Sequence, residues 1–202
     1  LGLVNNFIGL ENPRQLPTHL NMIGPIMSEN YPPLTSDLQE FLDNNAKVLY
    51  IAFGSKGQAR PKLAEFLLVQ FQRALNEGVA DAVVWGGLSK FTLERFPKTY
   101  NLNGKEYSTD TILDGSNSKI KLLGWAPQQS ILNHPNTKLF LSHGGLDSVY
   151  ESITSGTPML FLPFLGDQPG NSMLLTERGV GDYIDYPKMS SDQVYEKLKR
   201  LM

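Results

Sequence analysis

The stretch from Trp125 to Gln168, GWAPQQSILNHPNTKLFLSHGGLDSVYESITSGTPMLFLPFLGDQ with its preceding Gly124, limits the fold most tightly. Thr137 to Leu141 has the length and composition of a buried strand, and Ser142-His143-Gly144-Gly145 breaks it. Leu146, Val149, Tyr150 and Ile153 then fall at helical spacing, and Gly156 and Pro158 end the helix. A second buried strand and the pair Asp167-Gln168 follow. A strand feeding a glycine turn that opens a helix is how an α/β fold offers backbone N–H groups to an anion.

The rest of the chain fits the same pattern. Val48–Phe53 is a nearly continuous apolar run, as expected for a strand covered on both faces, and Gly54-Ser55-Lys56-Gly57 breaks it. Pro61 sits where a first-turn proline would, and Leu63, Phe66, Leu67, Gln70, Phe71 and Leu75 predict a helix ended by Gly78. Ala82–Trp85 and Ile120–Leu123 are further strands. Between them Tyr100–Ser118 is polar and without sustained periodicity, and reads as a long loop. Ser172–Glu177 reads as helix, Tyr183–Ile184 as an edge strand and Ser190–Met202 as an amphipathic helix. Alternating strands and helices imply a parallel sheet with right-handed crossovers.

The leading residues are different. Leu1–Val4 is a short strand candidate, followed by proline-bearing stretches up to Pro32-Pro33. By composition this is linker. Ser36 is expected to cap a helix carrying Leu38, Phe41 and Leu42, with Glu40 approximating a capping-box partner.

Composition excludes several function classes. Scattered basic residues and a net charge of −2 give no electrostatic case for nucleic acid. With no cysteine there is no disulfide scaffold and no thiolate metal site. No apolar run is long enough to span a membrane, no signal peptide is evident, and the absence of an initial Met suggests a fragment.

Trp125-Ala126-Pro127-Gln128, His143-Gly144-Gly145, Ser148, Glu151, Gly156-x-Pro158, Pro163 and Asp167-Gln168 together resemble, gap for gap, the donor signature of the UDP-glycosyltransferases. Val48–Phe53 with Gly54-Ser55, and Glu177-Arg178-Gly179-x-Gly181, are similar to flanking parts of the same domain. The resemblance covers nearly the whole chain but only the C-terminal half of such an enzyme. It implies a two-domain GT-B architecture: residues 1–34 end the N-terminal domain and cross the linker, and 35–202 form a Rossmann-like donor domain. The implied partners are a UDP-sugar or UDP and the acceptor domain of the same protein. Localisation would be cytoplasmic, or in the endoplasmic reticulum if an anchor follows Met202.

The chemistry can be assigned residue by residue. Trp125 would hold the flat base by stacking, and Ala126 beside it is counted among the UDP-sugar-binding residues. Gln128 and Glu151 resemble the family's ribose contacts. The helix opening at Gly145 supplies unpaired N–H groups, Gly144 and Gly145 admit a close approach, and His143, Ser148 and Ser55 could donate to phosphate oxygens. Asp167 and Gln168 resemble the pair that hydrogen-bonds the sugar's hydroxyls. Asp147 stands where an asparagine is usual, and its charge would repel a diphosphate. Leu146 replaces a tryptophan of the plant branch, which points toward the animal and fungal branches.

Three histidines, His19, His134 and His143, are present, and none has the general base's expected setting. The resemblance implies that the catalytic base is a histidine, oriented by an aspartate, near the N-terminus of the other domain, and the chain alone should bind UDP-sugar without appreciable transfer. No metal or cofactor is implied, since carboxylates and histidines do not cluster. The intact enzyme would move a hexose, glucose by preference, to a small lipophilic acceptor with inversion. Two alternatives remain at this stage: a nucleotide-sugar binding module without catalysis, and half of another such enzyme, for example an epimerase. A dinucleotide oxidoreductase is disfavoured by the glycine spacing at 54–57.

Overall fold

The structure, a computed structural model, describes residues 1–7, 9, 10, 15–54, 57 and 59–202. Five strand–helix connections build its main sheet. Six strands lie in the order β10-β9-β8-β3-β4-β7, and every pair is parallel. They are β3 (Val48–Ala52), β4 (Ala82–Gly86), β7 (Ile120–Leu122), β8 (Thr137–Ser142), β9 (Met159–Phe161) and β10 (Gly181–Tyr183). The expected α/β class, a Rossmann-like parallel sheet flanked by helices, is what the chain adopts.

Alternation along the strands explains why both faces are covered. Leu49, Ile51, Val83, Trp85, Leu139 and Leu141 point to one side, where α2 (Pro61–Asn76) and α8 (Ser191–Leu201) pack. Val48, Tyr50, Val84, Phe140 and Phe161 point to the other. That face is covered by α1 (Ser36–Asp43), α5 (Gln128–Leu132), α6 (Leu146–Ser155) and α7 (Gln168–Glu177). A strand buried on both sides must be apolar throughout, and β3 and β4 are.

The chain runs outward from β3 through β4 to β7, then crosses back to β8 on β3's other side and continues to β10. Strand order therefore reverses between β3 and β8. In open α/β sheets this reversal opens a crevice at the strands' C-terminal ends, and ligands bind there. The turns at Gly54 and at residues 143–145 both emerge into it.

Several expectations need correction. Residues 100–118 are not a loop: β5 (Thr99–Leu102) and β6 (Lys105–Ser108) form an antiparallel hairpin, followed by α4 (Asp110–Leu113). Asn103 and Gly104 both take positive φ, 54° and 82°, the two-residue turn whose twist matches paired strands. The buried Tyr100 stacks on Tyr107 and donates its hydroxyl to Gln72 Oε1 at 2.8 Å. The hairpin thus docks on the C-terminal half of α2.

Ser36 is not a cap. Thr35 holds the cap position of α1 without a capping bond, and its hydroxyl donates instead to Asp37 Oδ1 at 2.6 Å. The real capping box is at Ser190 and Gln193, opening α8. The helix expected from Ser172 begins at Gln168, and a short α3 (Lys90–Glu94), capped by the Ser89 side chain, had no apolar period to announce it.

At the N-terminus β1 (Gly2–Val4) pairs with β2 (Leu20–Met22) in a small parallel sheet of its own. Tyr150 donates its hydroxyl to the Asn5 carbonyl at 2.7 Å, and Ser130 Oγ donates to the Pro32 carbonyl at 2.6 Å. These bonds seat the leading segment on the helical face that carries α5 and α6. No helix among the described residues is long and apolar enough to cross a membrane.

Candidate functional site

The site is built from three loops at the crevice. After β8, Ser142 Oγ accepts from the Gly144 N–H at 3.2 Å and starts the turn. Gly144 has φ +83°, and a Cβ there would lie 2.6 Å from Ser172 Oγ, so only glycine fits. Gly145 is the cap of α6, which has no side-chain capping bond. The N–H groups of its first turn are left to face the crevice, with the positive end of the helix dipole behind them.

The imidazole of His143 is wedged between two glycines. A Cβ on Gly54 would lie 2.7 Å from Nε2, and one on Gly145 2.4 Å from it. The ring thereby locks the turn after β3 against the start of α6. Its Nδ1 is buried without a hydrogen-bond partner. Burial lowers the His143 pKa, and the Asp167 carboxylate acts in the opposite direction. The ring is accordingly a neutral hydrogen-bonding group near pH 7.

This has a consequence for stability. Between its lowered native pKa and the ordinary value of about 6.5, the unfolded chain binds a proton at His143 that the native chain refuses. The contribution is fully present above that ordinary value and is lost as pH falls through the native one. His143→Asn is expected to flatten this part of the pH dependence, read as urea midpoints between about pH 5 and 7.5. An unchanged slope would show that the imidazole is not desolvated.

On the other side of α6's first turn, Gln128 is held from both ends. Tyr50 donates its hydroxyl to Gln128 Oε1 at 3.3 Å, and Gln128 Nε2 donates to Ser148 Oγ at 3.0 Å and to the Glu151 carboxylate. Ser148 is buried and Glu151 half-buried. Desolvation raises the Glu151 pKa, the Gln128 bond opposes this, and Asp147 adds to it by like-charge repulsion. Asp147 is exposed at the first turn of α6.

Trp125 is 69% exposed beside this cluster, whereas Trp85 is 1% exposed in the core. The loop carrying Trp125 lies down on the end of β4, where a Cβ at Gly86 would come within 2.7 Å of the Ala126 Cβ. Trp125, Gln128, Asp147 and Glu151 share a cleft of roughly 400 Å³.

Asp167 and Gln168 are placed less alike than their adjacency suggests. Asp167 is exposed and accepts from Asn171 Nδ2 at 2.8 Å, and the same amide donates to the Gly144 carbonyl at 3.0 Å. Gln168 is buried, its Oε1 accepting from the N–H groups of Phe164 and Leu165 at 2.9 and 3.1 Å. Only its amide nitrogen remains for a ligand. Ser55 lies outside the described residues. His134 is remote from the crevice, 3.1 Å from Asp43 where α1 meets the loop before β8, and His19 is exposed.

Sequence reasoning missed four positions here. Tyr50 falls within an expected strand, Gly86 just past the end of another and Gly54 in a turn, while Asn171 reads as a capping or solvated residue. Their roles come from contacts across the sheet, which no local pattern reports. Among the described residues no group of three or more histidines, cysteines and carboxylates could hold a metal ion.

The family model for UDP-glucoronosyl and UDP-glucosyl transferase matches residues 1–202. The chain belongs to this family. It is 35% identical over its whole length to a UDP-glycosyltransferase of Talaromyces amestolkiae, covering 39% of that protein. It is 38% identical over 98% of its length to UDP-glycosyltransferase 1 of Phaeomoniella chlamydospora, again covering 39%. The chain thus spans about two fifths of the length of these fungal relatives. Among solved structures it superposes on Phytolacca americana UGT2, complexed with UDP-2fluoro-glucose and pterostilbene, with a TM-score of 0.73. That match, at 24% identity, covers 99% of this chain and 44% of the other and establishes a shared fold. A ugt transferase from Siraitia grosvenorii in complex with UDP superposes with a TM-score of 0.64 at 25% identity, over 91% of this chain and 44% of the other. The fold and the family are those that the signature implied.

Proposed function

We propose that this chain is the donor-binding domain of an inverting UDP-glycosyltransferase, and that the base lies against Trp125 with the diphosphate at the mouth of α6. The observation that carries this is the arrangement along that one helix. An exposed indole stands at one end of the cluster, Gln128, Ser148 and Glu151 lie between, and uncapped N–H groups beside His143 stand at the other. A flat base, a ribose and two phosphates present the same order of chemistry. Complexes with UDP and with UDP-2fluoro-glucose among the structural neighbours support the assignment.

On this reading Glu151 accepts from a ribose hydroxyl once Gln128 yields to it. The N–H groups of α6, with His143 and Ser148, stabilise the charge that builds on the diphosphate as the anomeric bond breaks. Asp167 accepts from sugar hydroxyls, with the free amide of Gln168 as donor. The incoming acceptor displaces UDP in line, which inverts the anomeric carbon. The acceptor site and the base that deprotonates it belong to the N-terminal domain, for which residues 1–34 supply the crossing. The sugar is a hexose, the acceptor small and lipophilic, and neither metal nor cofactor takes part.

Isothermal titration of the chain with UDP, UDP-glucose, UDP-glucuronate and NAD tests this. UDP and at least one UDP-sugar are expected to bind, NAD is not, and acceptor turnover by the chain alone should be negligible. Binding of NAD in preference to UDP would refute the assignment. In the same titration Asp147→Asn is expected to bind UDP more tightly, by up to about fivefold for an exposed charge.

A further inference from the structure

The cleft beside Trp125 has two walls, and only one belongs to the donor signature. The second is the leading segment: Ile26, Asn30, Tyr31 and Pro32 line the same space as Trp125, Gln128 and Glu151. The segment is seated rather than merely nearby. Ser130, in the helix that Gln128 opens, donates to the Pro32 carbonyl, and Met27 packs against the apolar cluster beneath α5 and α6. Ser28 and Asn30 close a tight turn, with Ser28 Oγ donating to the Asn30 carbonyl at 2.7 Å. That turn presents Asn30's exposed side chain at the cleft.

We infer that residues 26–32 form the outer wall of the base subsite, with Tyr31 and Asn30 contributing to affinity for the nucleobase and to choice among bases. The inference rests on the placement of the base proposed above. The physical case is that one exposed indole covers one face of a flat base and leaves the opposite face and edge to water. An aromatic ring and an amide in the same cleft supply what those surfaces lack: apolar area for the face, and a donor and an acceptor for the imide edge of a pyrimidine. Such a wall also links nucleotide binding to the ordering of the segment that precedes the domain.

The test is titration of Asn30→Ala, Tyr31→Ala and Trp125→Ala with UDP, ADP and inorganic pyrophosphate, together with hydrogen exchange of residues 26–31 at saturating UDP. Asn30 is exposed and its alanine variant should fold as the unaltered chain does, so the result does not depend on Tyr31. The expected result is severalfold weaker UDP binding in both segment variants, a narrower gap between UDP and ADP, no change for pyrophosphate, and slowed exchange across 26–31 with UDP. If Trp125→Ala loses UDP while the segment variants bind it normally and exchange is unaltered, the second wall is refuted and the donor site stands. If the unaltered chain does not bind UDP, both fall.

Discussion

Trp125→Ala is expected to weaken UDP binding by roughly 5- to 150-fold without lowering the unfolding midpoint. The range converts about 1–3 kcal/mol of base stacking on an aromatic ring into a ratio of dissociation constants. Stability should not move because the indole is 69% exposed and gives up little burial when removed. Titration of the variant with UDP, paired with a urea melt, separates the two quantities. The loss should be confined to ligands that carry a base and should spare pyrophosphate. A variant that binds UDP as tightly as the unaltered chain would remove the base from the indole and, with it, the placement on which the site's chemistry depends.

The chain's other tryptophan predicts the reverse. Trp85→Ala is expected to cost about 3–5 kcal/mol of stability, the range for emptying a core site of a large aromatic ring. Trp85 is 1% exposed and meets Phe53, Phe71 and Phe96 edge-on, with centroids 6.1, 5.7 and 5.7 Å away. Such aromatic pairs add to the loss from burial alone. A domain of ordinary stability has only about 5–15 kcal/mol in total, so the variant should unfold at much lower urea. The molecules that remain folded should still bind UDP, since the ring lies on the face of the sheet away from α5 and α6. A midpoint close to that of the unaltered chain would mean that the aromatic cluster is not the centre of this core.

The contrast between the two tryptophans shows what could be read in advance. Trp85 closes a continuous apolar run, which in an α/β pattern is a strand buried on both faces. Trp125 follows a glycine and precedes Ala-Pro-Gln, a loop composition at the end of a strand. The placement of Trp125 followed from its resemblance to the donor signature, whereas that of Trp85 was legible because local composition and burial agree there. The strand–turn–helix at 137–155 was legible for the same reason, and helical spacing located α2 and α8.

Elsewhere local signals misled. The polar composition of 100–118 concealed a hairpin whose evidence is small, the pair Asn103-Gly104 just after the alternating, buried Tyr100 and Leu102. Gly166-Asp167-Gln168-Pro169 is good turn chemistry, yet α7 begins at Gln168, whose side chain accepts from two N–H groups of the loop before it. Around the crevice, the signature pointed to Gln128, His143, Ser148 and Glu151 as candidates but not to what holds them. Tyr50 reaches Gln128 from a strand far earlier in the chain, and Asn171 joins Asp167 to the glycine turn. Such second partners are set by tertiary proximity alone.

The imidazole at 143, fitted between the Cα atoms of residues 54 and 145, makes mutational tolerance at 143 and 145 collective. A methyl group added at 145 collides with the ring, whereas the same methyl beside a smaller side chain at 143 has room; at 54 a φ of +69° disfavours a side chain whatever stands at 143. A change harmful singly at 145 is therefore acceptable in combination with one at 143, and the order in which a lineage acquires them matters.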